Sequence, residues 1–192
     1  MKKYALIVLA LVLMLTSCGG AASSVKSANE VIACVERNYD FFSDCALEMQ
    51  AFKMDRVYVA YEILKEEKDN PNAQKKLVYY EKESAARTAF TNATLEQAFT
   101  VYGFAVIFFQ TASDSRQNVL FSYTKESSSS PIQNGFYYSF DSLPSGWWGR
   151  SADLKRKDNR YLQISPNGDA WYFTVQIRDH FYYFEKQGAL LA

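Results

Sequence analysis

Asn167-Gly168-Asp169-Ala170-Trp171-Tyr172-Phe173-Thr174-Val175-Gln176-Ile177-Arg178-Asp179-His180-Phe181-Tyr182-Tyr183-Phe184-Glu185 is the stretch that decides the fold. Asn-Gly is the strongest short-range hairpin signal, because both residues tolerate the positive φ that a tight turn needs. From Trp171 the pattern has period two: Trp171, Phe173, Val175 and Ile177 alternate with Tyr172, Thr174, Gln176 and Arg178. That is the spacing of a strand with two unlike faces. Phe181–Glu185 reads as its neighbour, after a bend at Asp179. Working backwards, Tyr161–Ser165 is a strand, and Phe136, Tyr138 and Phe140 alternate with Tyr137, Ser139 and Asp141. Val119–Thr124 and the dense apolar run Phe104–Phe109 complete the set, with Ser113–Asn118 as the turn between them. Ser127–Pro131 is a loop. Residues Leu143 to Asn159 read as irregular, with Pro144, Gly146, Gly149 and the charged Lys155-Arg156-Lys157-Asp158. About five or six antiparallel strands are expected over 104–186.

The N-terminal half reads as helical. Ser27-Ala28-Asn29-Glu30 matches a capping box, in which the Ser hydroxyl and the Glu carboxylate satisfy free amides, and predicts a helix from Ala28 to Asn38. A second helix, Cys45 to Lys68, is predicted from a stripe of Leu47, Ala51, Met54, Tyr58 and Tyr61, with Asp44 as its cap. Asn70-Pro71-Asn72 breaks it. A third is predicted from Ala73 to Thr91. Thr94-Leu95-Glu96-Gln97 is a second capping box opening a turn or two with Leu95, Ala98, Phe99 and Tyr102, which Gly103 ends. Helices followed by strands, without βαβ alternation, indicate α+β. The expected architecture is three or four helices over 28–102 packed on a sheet over 104–186, as a single domain spanning 28–192.

The first residues decide the compartment. Met1-Lys2-Lys3 is a positive n-region, and Tyr4 to Leu15 is almost wholly apolar, too short to span about 30 Å of hydrocarbon but suited to an export signal. The run ends at Leu15-Thr16-Ser17-Cys18, followed by Gly19. This resembles the lipobox of bacterial lipoproteins. The resemblance implies cleavage after residue 17, a diacylglycerol thioether on Cys18 and an acyl chain such as palmitate on the new terminus. In a Gram-negative host, Gly19 after Cys18 further implies sorting to the outer membrane, with the domain in the periplasm or at the cell surface. Each buried methylene contributes about 0.8 kcal/mol, so two or three chains hold where one is marginal. Residues 18–27 are small and polar and read as a tether.

With Cys18 lipidated, Cys34 and Cys45 remain. An exported chain with one leftover pair predicts one disulfide, the alternative being two buried thiols. On one continuous helix the two would lie about 16 Å apart, so a bridge requires the chain to reverse between them, within Asn38–Asp44.

The chain has 21 basic and 21 acidic residues, which excludes the clustered positive excess that nucleic acid requires. Cleavage of Lys2 and Lys3 leaves a slight acidic excess, so the membrane contact is expected to be the lipid alone. A single His, and the lack of any phosphate loop, CxxC, HExxH or GxSxG, point to no cofactor and no metal. His180 reads as a sheet-surface residue beside Asp179. Carboxylate-pair hydrolysis stays open, since such pairs are distant in sequence. The aromatic load of the C-terminal half stands out: Trp147, Trp148, Tyr137 and Tyr172 are candidate contact residues, the two tryptophans in a Gly/Pro-flanked loop where functional residues concentrate. Adjacent rings such as Tyr137-Tyr138 and Tyr182-Tyr183 must point to opposite faces. The leading expectation is a non-enzymatic, lipid-anchored envelope lipoprotein that contacts an envelope protein partner. The alternative is an aromatic platform for a saccharide, a peptide or another small ligand.

Overall fold

The computed structural model describes residues 26–81, 84, 86–124, 132–146, 154–157, 160–165, 168 and 170–188. The expected signal sequence, Cys18, Gly19 and most of the expected tether lie outside the described residues, as do Trp147, Trp148 and Asn167. In chain order the elements are α1 (Ala28–Arg37), α2 (Tyr39–Gln50), β1 (Arg56–Glu62), β2 (Lys76–Tyr80), β3 (Thr88–Phe90), α3 (Ala93–Tyr102), β4 (Val106–Thr111), β5 (Gln117–Ser122), β6 (Gln133–Ser139), β7 (Lys155–Lys157), β8 (Arg160–Ile164), β9 (Trp171–Arg178) and β10 (Phe181–Gln187). All ten strands form one sheet in the order β3-β2-β1-β4-β5-β6-β10-β9-β8-β7, and every pairing is antiparallel.

This corrects the expected fold. The sheet has ten strands rather than five or six, and 28–102 is not a helical layer, because β1, β2 and β3 lie within it. The predicted helix Cys45–Lys68 stops at Gln50, and Lys53 takes a left-handed backbone at φ 54°. Beyond it, Arg-Val-Tyr-Val-Ala-Tyr-Glu alternates with period two and is rich in β-branched and aromatic side chains, which a pleated surface accepts better than a helix does. The apparent stripe mixed the two periods: Leu47 is 54% exposed, and Tyr58 lies on the opposite sheet face from Val57 and Val59. In the predicted third helix, Lys76-Leu77-Val78-Tyr79-Tyr80 pairs with β1 instead. The charged Lys155-Arg156-Lys157 segment, expected to be irregular, forms the edge strand β7.

Other local signals hold. The Ser27–Glu30 capping box is formed, with the Glu30 carboxylate also accepting from the Ser27 amide at 2.8 Å. The start of α3 is shifted: Asn92, not Thr94, accepts from the Leu95 amide at 2.9 Å. Gly103 ends α3 at φ 73°, a left-handed conformation that costs glycine little.

All three helices pack on one face of the sheet. Phe42 of α2 sits at the centre, fully buried, within 6 Å of the rings of Tyr102, Phe104, Phe121 and Phe136. Burying a side chain of this kind contributes about 1.5–3 kcal/mol. Val31, Val35, Met49, Leu95 and Ala98 join Val57, Val59, Ile107, Phe109, Val119, Phe136, Phe181 and Tyr183 in the same core. Asn38 marks the joint between α1 and α2, with its side-chain Nδ2 donating to the Cys34 carbonyl at 2.8 Å and its side-chain Oδ1 accepting from the Tyr102 hydroxyl at 3.0 Å. Cys34 and Cys45 are both buried, and no disulfide joins them. The chain kinks at Asn38 without folding back, and the Cys45 thiol faces the Thr94 carbonyl at 4.0 Å, toward α3 and not toward α1.

Candidate functional site

Alternation sends the other half of each strand's side chains to the helix-free face. There Tyr58 on β1 stacks between Tyr80 on β2 (5.3 Å, 12°) and Phe108 on β4 (4.1 Å, 14°). Phe108 lies opposite Leu120, and Leu120 opposite Tyr137. Tyr137 stacks on Tyr182 at 5.1 Å and 7°. Tyr137, Ala170, Tyr172, Tyr182 and Phe184 form a second core on this face.

The turn after β6 folds over part of it. Arg116 holds that turn, its Nε donating to Asp141 at 2.6 Å and its Nη1 to the Pro144 carbonyl at 3.2 Å. Burial would raise the Asp141 carboxyl, but Arg116, the Ser139 hydroxyl and the Leu143 amide together lower it. Ser142 takes a left-handed backbone at φ 57°. Its hydroxyl lies 2.8 Å from His180 Nδ1, which is also 2.8 Å from the Ser139 carbonyl. A carbonyl can only accept, so Nδ1 carries the proton and is not a base for Ser142. His180, stacked on Tyr138 at 5.0 Å, fastens the β9–β10 turn to the end of β6.

The fold leaves a cleft of about 90 Å³ on this face, between the Tyr58–Phe108 ladder and the second core. Its apolar surface comes from Tyr58, Val106, Phe108, Leu120, Tyr137, Tyr172 and Phe184. At one end stand Gln110, Ser145 and Gly146; at the other, Ser122, Thr124, Gln133 and Lys186. Gln110 and Gln133 are only 4% and 7% exposed. Two buried polar atoms here, the Thr124 hydroxyl and the Asn118 amide nitrogen beside Ser145, have no hydrogen-bond partner among the described residues. No carboxylate lines the cleft among the described residues.

Two of the four aromatic candidates thus come together. Tyr137 and Tyr172 both line the cleft and share Ser145: its amide donates to the Tyr137 hydroxyl at 2.8 Å, and its carbonyl accepts from the Tyr172 hydroxyl at 2.8 Å. Thr174 also donates to Tyr137, at 3.0 Å. Burial raises both phenols well above their ordinary range. Both are buried, so they form a wall of the cleft. Trp147 and Trp148 follow directly on Gly146 in the chain and lie outside the described residues. The rest of the lining was not singled out in sequence. A usable signal was there for Gln110, an amide closing the apolar, strand-forming run Val106–Phe109, whereas Gln133 sits between Ser/Pro and Asn-Gly and gave none.

No group of His, Cys, Asp and Glu among the described residues is placed to hold a metal ion, and none of the described helices is long and apolar enough to cross a membrane. Compared with known proteins, the chain matches no family model, no curated protein and no solved structure.

Proposed function

We propose that this chain is a lipid-anchored, non-enzymatic binding protein of the bacterial envelope, and that it holds a small, largely apolar ligand in the cleft on the helix-free face of its sheet. The anchoring half of the reading rests on Leu15-Thr16-Ser17-Cys18 and the n- and h-regions before it. The binding half rests on one observation, a concave aromatic surface with a few polar groups at its ends, which is the usual make-up of a small-molecule site. Contact with an envelope protein partner, the leading expectation from sequence, calls for a contiguous apolar patch. The large apolar side chains exposed among the described residues, Leu47, Leu143 and Ile164, sit on α2, in the turn after β6 and on β8. That favours the cleft.

The test is extraction of the full chain, purified from membranes and then denatured, followed by mass spectrometry of what it releases. A small molecule released by the wild-type chain, and absent from Leu120→Trp with its circular dichroism unchanged, supports the reading. Equal release from both, or none from either, overturns it. For the anchor, Cys18→Ala is expected to abolish labelling by an alkynyl fatty acid and release the chain from membranes; persistent labelling refutes it.

A further inference from the structure

We infer that the end of the sheet from which the tether leaves also rests on the bilayer, with Ile164 and Trp171 entering the headgroup region. This rests on the anchoring half of the reading above. It adds a second membrane contact to the lipid on Cys18, which the charge balance alone predicts as the only one.

The tether fixes which end is meant. The structure describes the chain from Lys26. The Lys26 carbonyl accepts from the Asn134 side-chain amide, and its ammonium lies 4.4 Å from the centre of the Tyr123 ring. Asn134 is near the start of β6, opposite Glu185 near the end of β10. From there the same end runs across the sheet: Gln187 on β10 stands opposite Trp171 on β9, and Trp171 opposite Ile164 on β8. From β6 to β8 is three strand spacings, about 14 Å. The eight residues from Cys18 to Lys26 reach at most about 28 Å. An anchored chain therefore keeps Ile164 within a tether's length of the bilayer.

The side chains suit that surface. Ile164 is 62% exposed, and its cross-strand partner Trp171 is only half-buried. The Trp171 indole stacks on Phe173 (5.7 Å, 12°), and its Nε1 donates to Gln187 at 3.0 Å. A lone exposed isoleucine is ordinary. Here it is paired with an indole, whose apolar body and single N–H match the boundary between hydrocarbon and water. Past Gly188 the sequence continues from this end as Ala189-Leu190-Leu191-Ala192, four more apolar residues. With 21 basic and 21 acidic residues the contact is apolar and needs no anionic lipid. Two side chains are too little for a stable protein interface, which takes roughly 800 Å² per partner.

The experiment places a nitroxide on Ile164→Cys and, separately, on Ser113→Cys, in the full chain on phosphatidylcholine vesicles. Cys34 and Cys45 are buried, so the added thiol takes the label. Ser113 is exposed in the turn between β4 and β5, at the opposite end of the sheet. The ratio of collisions with oxygen to collisions with a water-soluble nickel chelate is expected to be at least about threefold higher at 164 than at 113, as for a side chain about 5–10 Å into the headgroup boundary. In the unlabelled chain, brominated phosphatidylcholine is expected to quench the emission that Trp171→Phe removes. Equal ratios at the two sites, or no such quenching, on chains that float with the vesicles, overturn the contact and leave the anchor standing. A label at 164 shielded from oxygen and chelate alike reports a protein partner there and also overturns it. Label taken up by the unsubstituted chain means that Cys18 is a free thiol, which overturns the anchor and this inference together.

Discussion

The Ser145 amide donates to the Tyr137 hydroxyl at 2.8 Å, and this contact ties the turn after β6 to the strand it came from. The same hydroxyl accepts from Thr174. Tyr137→Phe therefore strands one buried donor, the Ser145 amide, because the Thr174 hydroxyl keeps the Tyr183 carbonyl as its acceptor. Tyr172→Phe removes one bond to a carbonyl that still meets Tyr137 at 3.4 Å. The expected losses are about 1–3 kcal/mol for Tyr137→Phe and about 0.5–1.5 kcal/mol for Tyr172→Phe. Urea midpoints in the reverse order would show that Ser145 is not the joint described.

Gly135 is needed for close approach rather than for a turn. A Cβ there would lie 2.1 Å from the Phe121 carbonyl oxygen and 3.1 Å from the Phe184 ring, and the first of these is backbone in a central strand. Gly135→Ala is expected to cost about 3 kcal/mol or more, at the upper end for overpacking. A thermal midpoint within a degree of wild type would contradict this register.

Arg116→Met removes the hold on Asp141 and on the Pro144 carbonyl. A loss of about 2 kcal/mol is expected, because the Arg116 side chain is only 11% exposed and its partners lose a charged donor. Hydrogen exchange should rise first at the amides of 141–146, before the strands. Uniform acceleration across β5, β6 and β10 would mean that Arg116 supports the whole sheet and not this turn.

Alkali should unfold the protein through its phenols. Burial, with Tyr161 and Asp141 nearby, pushes Tyr182 up to about 12, and burial carries Tyr137, Tyr172 and Tyr183 further in the same direction. In the unfolded chain each ionises near 10. A raised folded pKa means that the neutral form's contribution is complete below about pH 10 and is lost as the pH rises toward 12. Absorbance at 295 nm should show an exposed class of tyrosines titrating first, then a late class appearing together with loss of the far-ultraviolet signal. A single early titration with the fold intact would refute the buried wall.

Cys45 should resist alkylation in the native protein. Burial, with Asp44 and Glu48 beside it, pushes its thiol up to about 12, and the thiolate is the reactive form. Non-reducing peptide mapping is expected to recover Cys34 and Cys45 in separate peptides. A linked pair would overturn the geometry at Asn38.

Legibility followed the strength of the local signal. β9 and β10 were readable to within two residues because Trp171–Arg178 alternates without interruption and Asp179 marks the turn. α1 was readable because its cap is complete in four residues. β1 was misread because Tyr58 and Tyr61 happen to fit a helical spacing from Leu47, while the competing alternation of Val57 and Val59 is only seven residues long. Short apolar runs fit either period, and pairing with β4 decided between them. For the site, Tyr137 and Tyr172 were found as candidate contact aromatics, with their burial left open. Nothing local reveals that Ser145 folds back over them, or that Gln110 and Lys186, 76 positions apart in the chain, border one cleft.

A ten-stranded open sheet has two raw borders, β3 and β7, and each is three residues long. At the β7 border stand Lys155, Arg156 and Lys157, all exposed. Molecules leashed to a two-dimensional film meet one another far more often than the same number dispersed in bulk. Unpaired strand borders under such crowding are seeds for fibres. Three adjacent cations turn away the like-charged border of an approaching copy, so, with the chain anchored as proposed, this short basic strand would keep neighbours separate on a crowded surface.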